Sequence, residues 1–441
     1  MTQGRHRAER RHRPHATNLR LLWVSQFINT TGLMMLVPIM PFYVEQLGVS
    51  GTAQVQTWAG AAIAAPAVTL TVATPLWGRV GDRVGRKWMV VRALVGLAVA
   101  MLVMATAAGP AVLLLGRLLQ GALGGVVEAA AGFVGAAGPD GERGKSLGKS
   151  FSATAAGALT GPLVGGALLG TSGLRAFMVA VAVVGGLLAV VCCWGLREEP
   201  RRPAAEGVED STTAASPDRL QVRRFVLLGT AGALAYLGTY GLIPVFAEHL
   251  SASEQDSGSA GFWVGTLHSV MWAGTLLGSV WWGRRNDRTD RPLESFVVAA
   301  ALSAASITML ALPLPPLALV PLRVVQGLCF AALAQSLFLH VSRVIPGSGQ
   351  SGRIGMMNSF LLVGQGVGPL LAGPLSVSMS ASQAILLLGA ACAVAALLAA
   401  APSRHEAREQ AQRARYTRAS PDAPQPSAAT LTRSGRTSHA A

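Results

Sequence analysis

Charged side chains are scarce in this 441-residue sequence, which contains only 13% Asp, Glu, Lys and Arg. A soluble domain usually carries about 25% charged residues. Because hydrophobic residues make up 51% of the chain, its polar side chains cannot cover a globular surface in water. The scarcity of charge therefore argues against an ordinary soluble domain and predicts that lipid forms part of the solvent around the protein.

Cysteine is scarce as well, and Cys192, Cys193, Cys329 and Cys392 all lie in apolar runs. Their spacing fits no zinc site, so we interpret them as small packing residues. The sequence also lacks paired carboxylates, a Ser-His-Asp set and a metal cluster. The nearest approach to a phosphate-binding loop, at 139–146, lacks the first glycine of that motif and follows no strand. These absences argue against an enzyme and an ATP-driven pump, and they predict no metal and no cofactor.

Long apolar runs are what the sequence contains instead. Each is about 20 residues long, which is the length of a helix that crosses a hydrocarbon core of ~30 Å. Only helices and closed barrels satisfy backbone polar groups in lipid, and these runs lack the alternation of barrel strands. The sequence therefore predicts an all-α integral membrane protein with twelve transmembrane helices. The predicted spans are 19–44, 55–77, 88–108, 111–134, 150–170, 174–196, 224–247, 262–282, 293–312, 316–340, 354–378 and 382–401.

Basic residues are unevenly distributed between the two sides of these spans. One side holds 32 of the 36 Lys and Arg residues, whereas the opposite loops contain only Arg175. Since positive loops mark the cytoplasm, we predict a multi-pass protein of a bacterial cytoplasmic (inner) membrane with both termini cytoplasmic. The net charge of +15 is then mostly a topological signal. It is spread over seven segments and does not predict a nucleic-acid partner.

Two segments rich in Ala, Pro, Ser, Thr and charge stand apart from the apolar runs. They cannot bury enough apolar surface to fold alone. We therefore predict a basic cytoplasmic tail at 1–18, a six-helix half at 19–196, a cytoplasmic linker at 197–222, a second six-helix half at 223–401 and a disordered cytoplasmic tail at 402–441.

The two predicted halves repeat each other at an offset of 205 to 207 residues. Matches that occur in the same order at a nearly constant offset indicate an internal duplication. They predict two pseudo-symmetric six-helix bundles, with a substrate site between them near the middle of the membrane. The matching pairs are Pro38 with Pro244, Trp77-Gly-Arg with Trp282-Gly-Arg, Asp82-Arg with Asp287-Arg, Arg117-x-x-Gln-Gly with Arg323-x-x-Gln-Gly, and Gly161-Pro with Gly368-Pro.

Four motifs carry a resemblance to a known family. They are Gly32-x5-Pro38-x2-Pro41 in helix 1, Gly78-x3-Asp82-Arg83-x-Gly85-Arg86-Lys87 between helices 2 and 3, Arg117-x2-Gln120-Gly121 in helix 4 and Gly157-x3-Gly161-Pro162-x2-Gly165-Gly166 in helix 5. With these motifs the sequence resembles the major facilitator superfamily, and within it the twelve-spanner drug:proton antiporters. The resemblance covers nearly all of 19–401.

The resemblance implies a monomer that exports small amphipathic drugs or antibiotics by alternating access, with the proton gradient as its energy source. Its partners would be the lipid bilayer and a small-molecule substrate. A dedicated exporter of one natural product, such as a siderophore or an antibiotic, remains an alternative. The helix 5 motif and the sparse charge within the spans argue against a nutrient importer of the same fold.

The resemblance also implies roles for the motif residues. The loop after helix 2 would act as a conformational latch, through Gly78, Asp82, Arg83, Gly85, Arg86 and Lys87. The helix 5 glycines recur at a spacing of four, which predicts that they share one face of the helix. The helix 5 residues Gly157, Gly161, Pro162, Gly165 and Gly166 would form a close seam that prevents proton leak, although ordinary tight helix packing is the alternative. The second copy of the loop is degraded, since Asp290 replaces a glycine and Pro292 replaces the lysine.

Arg117 and Glu128 are two charged residues of the predicted helix 4. In a continuous helix their spacing brings them to within about 20° of the same face. A charge in the middle of a bilayer costs at least ~2.5–3.5 kcal/mol, so it normally faces a cavity or a partner. The resemblance assigns Arg117 to proton coupling. Glu128 is the candidate proton carrier, and a solvated position at the helix end is the alternative.

Polar residues within the spans are the candidates for lining the cavity between the halves. His268 among them titrates near neutrality in water, and a hydrogen-bonded structural histidine is the alternative. The predicted cavity residues are Gln26, Asn29, Tyr236, Tyr240, His268, Arg323, Asn358 and Gln365.

Overall fold

The computed structural model describes residues 2–127, 129–130, 143–196, 219–252, 257–289, 291–344 and 350–419. Within these ranges the secondary structure is helical. The helices of the first half are α1 (Thr2–Met35), α2 (Met40–Gln46), α3 (Thr52–Val84), α4 (Arg86–Ala105), α5 (Pro110–Leu123), α6 (Arg143–Leu168) and α7 (Gly173–Gly195). Those of the second half are α8 (Arg219–Ser251), α9 (Ser257–Thr289), α10 (Pro292–Met309), α11 (Pro316–Val344), α12 (Gln350–Leu370), α13 (Ala372–Ser378) and α14 (Ala381–Ala419).

The predicted spans correspond to these helices. Among the described residues, seven helices are long and apolar enough to cross a membrane, or nine if each of two bent pairs forms one span. The bends are 64° between α1 and α2 and 42° between α12 and α13, close to Pro38 and Pro369, where the missing N–H groups weaken the helix. Together with α5, α6 and α9 the helices make the twelve-helix, two-bundle fold.

The predicted tails and linker differ from the structure at their edges. Residues 2–18 continue into α1, and the tail predicted to be disordered from residue 402 is helical as far as Ala419. Residues 403–419 contain many Ala, Arg, Glu and Gln residues, which are good helix formers and explain this difference. Residues 197–218 of the predicted linker lie outside the described residues, and its last residues, 219–222, belong to α8.

The two halves are packed in the same way. In the first half α1 packs on α6, α4 on α7 and α3 on α5, and in the second half α8 packs on α12, α10 on α14 and α9 on α11. The halves meet where α6 contacts α9 and where α3 contacts α12. These two contacts are equivalent under the duplication, so the bundles are pseudo-symmetric.

The glycines of the helix 5 motif form a seam against α1. A Cβ atom on Gly157 or Gly161 would lie 2.7 Å from the carbonyl oxygen of Phe27 or Thr31, respectively. Gly165 is closer still to α1, where its Cβ would meet the carbonyl oxygen of Met35. Gly166 differs from the prediction of a single face, because its Cβ would lie 2.8 Å from the carbonyl oxygen of a glycine in α9. The motif therefore joins α6 to its own half and also to the other half.

The same seam recurs in the second half. A Cβ on Gly368 would lie 2.6 Å from the carbonyl oxygen of Leu237 in α8, and a Cβ on Gly373 would lie 2.9 Å from Thr57 Cα in α3. Across the interface, Gly60 abuts Pro369 just as Gly265 abuts Pro162. Small residues thus allow the backbones to approach at both contacts between the halves.

The apolar cores show where the halves are joined. One buried cluster contains residues of both halves, including Met35, Leu174, Phe246 and Ile385, and lies towards the side opposite the basic loops. Towards the basic loops the described residues form two separate clusters, one in each half. The halves are therefore packed together at one end and have separate cores at the other.

Candidate functional site

A cavity lies between the two halves and has about 1040 Å³ of empty space, including the part that is open to solvent. The first half lines it with α1, α3, α5 and the segment that follows α5, and the second half lines it with α8, α9, α11 and α12. Most of the lining is apolar. A mostly apolar pocket with a few polar groups is the usual form of a small-molecule site.

Several of the residues predicted to line this cavity do so. Gln26, Tyr236 and Asn358 lie elsewhere: Gln26 is buried and donates to the carbonyl oxygen of Leu22 at 3.3 Å, Tyr236 stacks on another tyrosine, and Asn358 is exposed. The predicted residues that line the cavity are Asn29, Tyr240, His268, Arg323 and Gln365, together with Arg117.

Arg117 is held rigidly on the first-half side of the cavity, where only 1% of its surface is exposed. Its Nε donates to the carbonyl oxygen of Ala62 at 2.9 Å, and its Nη1 donates to the carbonyl oxygen of Leu33 at 3.2 Å and to Gln120 Oε1 at 2.8 Å. These acceptors belong to α3, α1 and α5. The guanidinium therefore ties three helices of the first half together.

Arg323 is the second-half counterpart of Arg117 and is 3% exposed. Its Nη1 donates to Gln326 Oε1 at 2.8 Å, and its guanidinium carbon lies 3.8 Å from the ring centroid of Phe246. That aromatic face attracts the cation. Its Nε is buried without a hydrogen-bond acceptor, so Arg323 is held by fewer contacts than Arg117.

The described lining of the cavity is electrostatically positive. It contains two guanidinium groups, and none of the described lining residues is Asp or Glu. The ion pairs described elsewhere join Glu294 to Arg285 and Arg291 at 3.4 and 3.5 Å, away from the cavity. The two cavity arginines are thus buried without a described counter-ion.

The second half also supplies an aromatic wall to the cavity. The ring of Phe330 lies 5.9 Å from that of Tyr240 and 6.0 Å from that of Trp272, measured between centroids. Trp272 Nε1 donates to His268 Nε2 at 3.2 Å. That nitrogen must therefore lack a proton, and the proton of the neutral ring is on Nδ1. His268 is both a cavity residue and a hydrogen-bonded structural residue.

The helix that carries Arg117 is broken, although the sequence predicts one continuous span at 111–134. α5 ends at Leu123, and Gly125 has a φ of 90°, which favours glycine. Arg92 Nη1 donates to the carbonyl oxygens of Leu123 and Gly124, both at 2.8 Å, and its guanidinium lies 3.8 Å from the ring centroid of Trp77. We call this contact of Arg92 with the end of α5 the clamp. Sequence reasoning missed it, although the pair Gly124-Gly125 is a signal for a break in the helix.

The predicted relation between Arg117 and Glu128 depended on an unbroken helix, and that assumption is wrong. Since α5 ends at Leu123, the helical rotation does not carry over to residue 128. Glu128 itself lies outside the described residues. Its role as a proton carrier stays a prediction.

The predicted latch is a junction between two helices. α3 runs through Gly78 to Val84, and Gly85, with a φ of 102°, separates it from α4. Gly78 is not crowded, because a Cβ there would meet nothing within 4 Å. The side chain of Asp82 lies outside the described part of the chain. The latch role of this residue and of Arg83, Arg86 and Lys87 therefore stays a prediction.

Known proteins share both the sequence pattern and the fold. Residues 22–267 and 228–434 match the family model described as Major Facilitator Superfamily. The chain is 34% identical over 388 residues to the staphyloferrin B transporter of Staphylococcus aureus (strain NCTC 8325 / PS 47), covering 86% of this chain and 91% of that one. It is 29% identical over 368 residues to the multidrug resistance protein MdtG of Rahnella sp. (strain Y9602), covering 82% of this chain and 87% of that one.

Solved structures agree with this relationship at the level of the fold. A bacterial homologue of the human lysosomal transporter Spinster, in an inward-facing and unoccupied conformation, superposes with a TM-score of 0.69 at 16% identity and covers 89% of this chain and 97% of that one. A D-xylose-proton symporter superposes with a TM-score of 0.68 at 15% identity and covers 87% and 96%. The two duplicated bundles, the cavity between them and these matches lead to one conclusion: the chain belongs to the major facilitator superfamily.

Proposed function

We propose that this protein exports one class of small natural product, such as a siderophore, across a bacterial inner membrane. The observation that carries the proposal is the central cavity, which combines an aromatic wall with two buried arginines and has no Asp or Glu in its described lining. The likeness to a staphyloferrin B transporter over 86% of the chain supports it.

The proposal includes the proton gradient as the energy source and alternating access as the mechanism. Arg117 and Glu128 are the residues proposed for proton coupling, and Asp82 is proposed to latch the halves on the cytoplasmic side. The separate cores towards the basic loops support a cavity that opens on that side. The direction of transport rests on the resemblance of the helix 5 motif to that of exporters.

The placement in the membrane belongs to the same proposal. Both termini are cytoplasmic, the working unit is a monomer, and neither a cofactor nor a nucleic acid takes part. A reporter that is active only in the cytoplasm, fused after residue 419, would be active if the topology is right. An inactive fusion in a well-inserted protein would reverse the orientation.

Export of many amphipathic drugs is the second candidate function. The likeness to MdtG and the wall formed by Tyr240, Trp272 and Phe330 favour it for neutral or aromatic compounds. Cationic drugs fit less well, because a buried cation needs a counter-charge and the described lining offers two cations instead. Resistance to several unrelated antibiotics would follow from this second function.

Deletion of the gene from its native host tests the proposal. A dedicated exporter predicts that one family of compounds accumulates in the cells and disappears from the medium, and that the wild-type gene restores export while the Asp82→Asn variant does not. Unchanged metabolite profiles would overturn the proposal.

Drug export is measured separately in an efflux-deficient host. Expulsion of a neutral aromatic dye or of a cationic dye, if a protonophore abolishes it, would establish multidrug transport instead. Dye levels that do not change on expression of a well-inserted protein would leave the dedicated exporter as the function.

A further inference from the structure

We infer that the substrate is an organic anion with at least two acidic groups, carboxylates or phosphates, one held by Arg117 and the other by Arg323. This inference rests on the proposed function, because it names the chemical class of the exported compound. It follows from unused hydrogen-bond donors, unbalanced charge and the asymmetry of the cavity walls.

The buried donors around the two arginines exceed the acceptors. Because arginine only donates hydrogen bonds, the amide oxygens of Gln120 and Gln326 must face Arg117 and Arg323, at 2.8 Å in both cases. The amide nitrogens therefore point away, and both are buried without an acceptor. Arg323 Nε is a third such donor. Arg117, Gln120 and Arg323 line the cavity, so a ligand that satisfies their donors must be rich in acceptor oxygens.

The charge of the two arginines is also unbalanced within the part of the chain that the structure describes. Each is at least 97% buried, each lines the cavity, and neither forms an ion pair with a described residue. Charged groups within a membrane pair with one another or face an aqueous cavity or a ligand. Guanidinium groups match carboxylate and phosphate through two parallel hydrogen bonds. Two acidic groups on one ligand would neutralise both arginines.

The position of the two arginines makes the ligand a bridge between the halves. Arg117 is on α5 of the first half and Arg323 is on α11 of the second half, at equivalent points of the duplication. A ligand with a single acidic group would contact only one half through charge. A ligand with two acidic groups would attract both halves, so that its binding favours one arrangement of the bundles over the other.

The walls between the arginines distinguish an organic anion from an inorganic one. Trp272 and Phe330 form an aromatic face in the second half, whereas Met34, Val37 and Ile63 form an aliphatic face in the first half. A small hydrated ion leaves these faces uncovered. An organic anion covers them with an apolar or planar middle part and reaches the arginines with its ends.

The test uses the purified full-length protein and a homologous series of dicarboxylates, from succinate to sebacate. Binding is measured as a rise in the melting temperature of the protein, followed by calorimetry for the best members. We expect one chain length to bind best, with no binding of its dimethyl ester and weak binding of the matching monocarboxylate. Bisphosphonates of the same lengths, run in parallel, show whether carboxylate or phosphate is preferred.

Variants connect that binding to the arginines. Arg323→Gln is expected to weaken binding of the best dicarboxylate by about tenfold or more, because a buried charge loses its partner, and Arg323→Lys is expected to retain part of the affinity. Arg285→Gln is the matched control, since Arg285 pairs with Glu294 outside the cavity. A melting curve of each unliganded variant confirms that it is folded.

Several results would overturn the inference. These are equal binding of diacid and dimethyl ester, equal binding of monoacid and diacid, binding of inorganic phosphate alone, or undiminished binding by Arg323→Gln. Failure of the proposed function is distinguishable from these results. If the deletion strain retains a neutral or cationic compound, the export function stands and the two-acid site fails. If it retains nothing while diacid binding needs Arg323, the site stands and the dedicated export function fails.

Discussion

The two halves of the molecule contain the same arginine in the same place, but they hold it differently. Both guanidinium groups donate to a glutamine oxygen at 2.8 Å. Arg117 also binds carbonyl oxygens of α1 and α3, whereas Arg323 rests on the ring of Phe246 and keeps a buried Nε without an acceptor. Most donors of the first arginine are thus bound by the scaffold, which leaves it fewer donors for a ligand than the second arginine has.

The helices that carry these arginines also differ. The first-half helix α5 breaks at Gly124-Gly125, where Arg92 caps it, whereas α11 continues through the equivalent Phe330-Ala331. The tryptophan beneath each helix is retained, since Trp77 and Trp282 both donate to a carbonyl oxygen, at 2.7 and 2.9 Å. Duplication has therefore kept the contacts that build each bundle and changed those that shape the cavity.

The seam between helices gives the largest expected effect, and it should be equal in the two halves. Gly161→Leu and Gly368→Leu both force a side chain into the backbone of a neighbouring helix, at 2.7 Å from Thr31 O and 2.6 Å from Leu237 O at the Cβ position alone. We expect each to abolish export or to remove the protein from the membrane. Immunoblots and export of the native compound measure both. Gly186→Leu is the control, because nothing lies within 4 Å of its Cβ. Full export by Gly161→Leu would show that the seam is dispensable.

Substitution of the two arginines should lower the thermal stability of the protein to different extents. Arg117→Gln removes three hydrogen bonds from a charged donor, each of which contributes about 1.5–3 kcal/mol, so we expect a large fall in melting temperature. Arg323→Gln removes one hydrogen bond and a ring contact, so we expect a smaller fall. Thermal melting of the two purified variants compares them. A larger fall for Arg323→Gln would contradict the assignment of Arg117 to the scaffold.

The clamp on the broken helix should matter in the first half only. Arg92→Gln removes the cap at Leu123 and Gly124, and we expect faster hydrogen exchange around the break together with several-fold slower export, as for other disrupted positioning contacts. Positions 297 and 298, which correspond to Arg92, are both valine, so the second half has no such cap. Trp282→Phe is the control and should cost about 1 kcal/mol through one lost hydrogen bond. Unaltered exchange in Arg92→Gln would exclude the clamp.

The break itself gives the smallest expected effect on stability. Gly125→Ala places a Cβ at a φ of 90°, which costs about 1–2 kcal/mol. The reciprocal change Ala331→Gly adds backbone freedom in a continuous helix and costs about 1 kcal/mol. Export assays then distinguish the two variants, because only Gly125→Ala alters the segment that leads from Arg117 to Glu128. Equal export by both variants would show that the break has no role in transport.

The sequence was sufficient for the helices, the duplication and the motif positions, because these depend on local information. A long run of apolar residues indicates a membrane-spanning helix without reference to its neighbours, and matching residues at a constant offset indicate an internal repeat. The Arg-x-x-Gln spacing likewise sets both arginines beside their glutamines within one helical turn, as the structure shows.

The errors concern relations between helices. The spacing predicts Gly166 on the face of Gly161, whereas in the structure it contacts α9 of the other half. Gln26, Tyr236 and Asn358 are not among the residues that line the described cavity. Sequence spacing gives the rotation of a residue about its own helix axis. It does not give the rotation of that helix relative to its neighbours, which packing decides.

The membrane fold, its two equivalent halves and an arginine within a span of each half thus follow from the order of the residues alone. The packing of the helices is needed to see that Arg117 is bound by three helices while Arg323 is left with unused donors, and that Gly124-Gly125 breaks a span. The physical reason is that acceptors such as Ala62 O and Leu33 O are main-chain atoms of other helices. Every residue carries such an atom, so its availability depends on how the helices pack and not on which residues they contain.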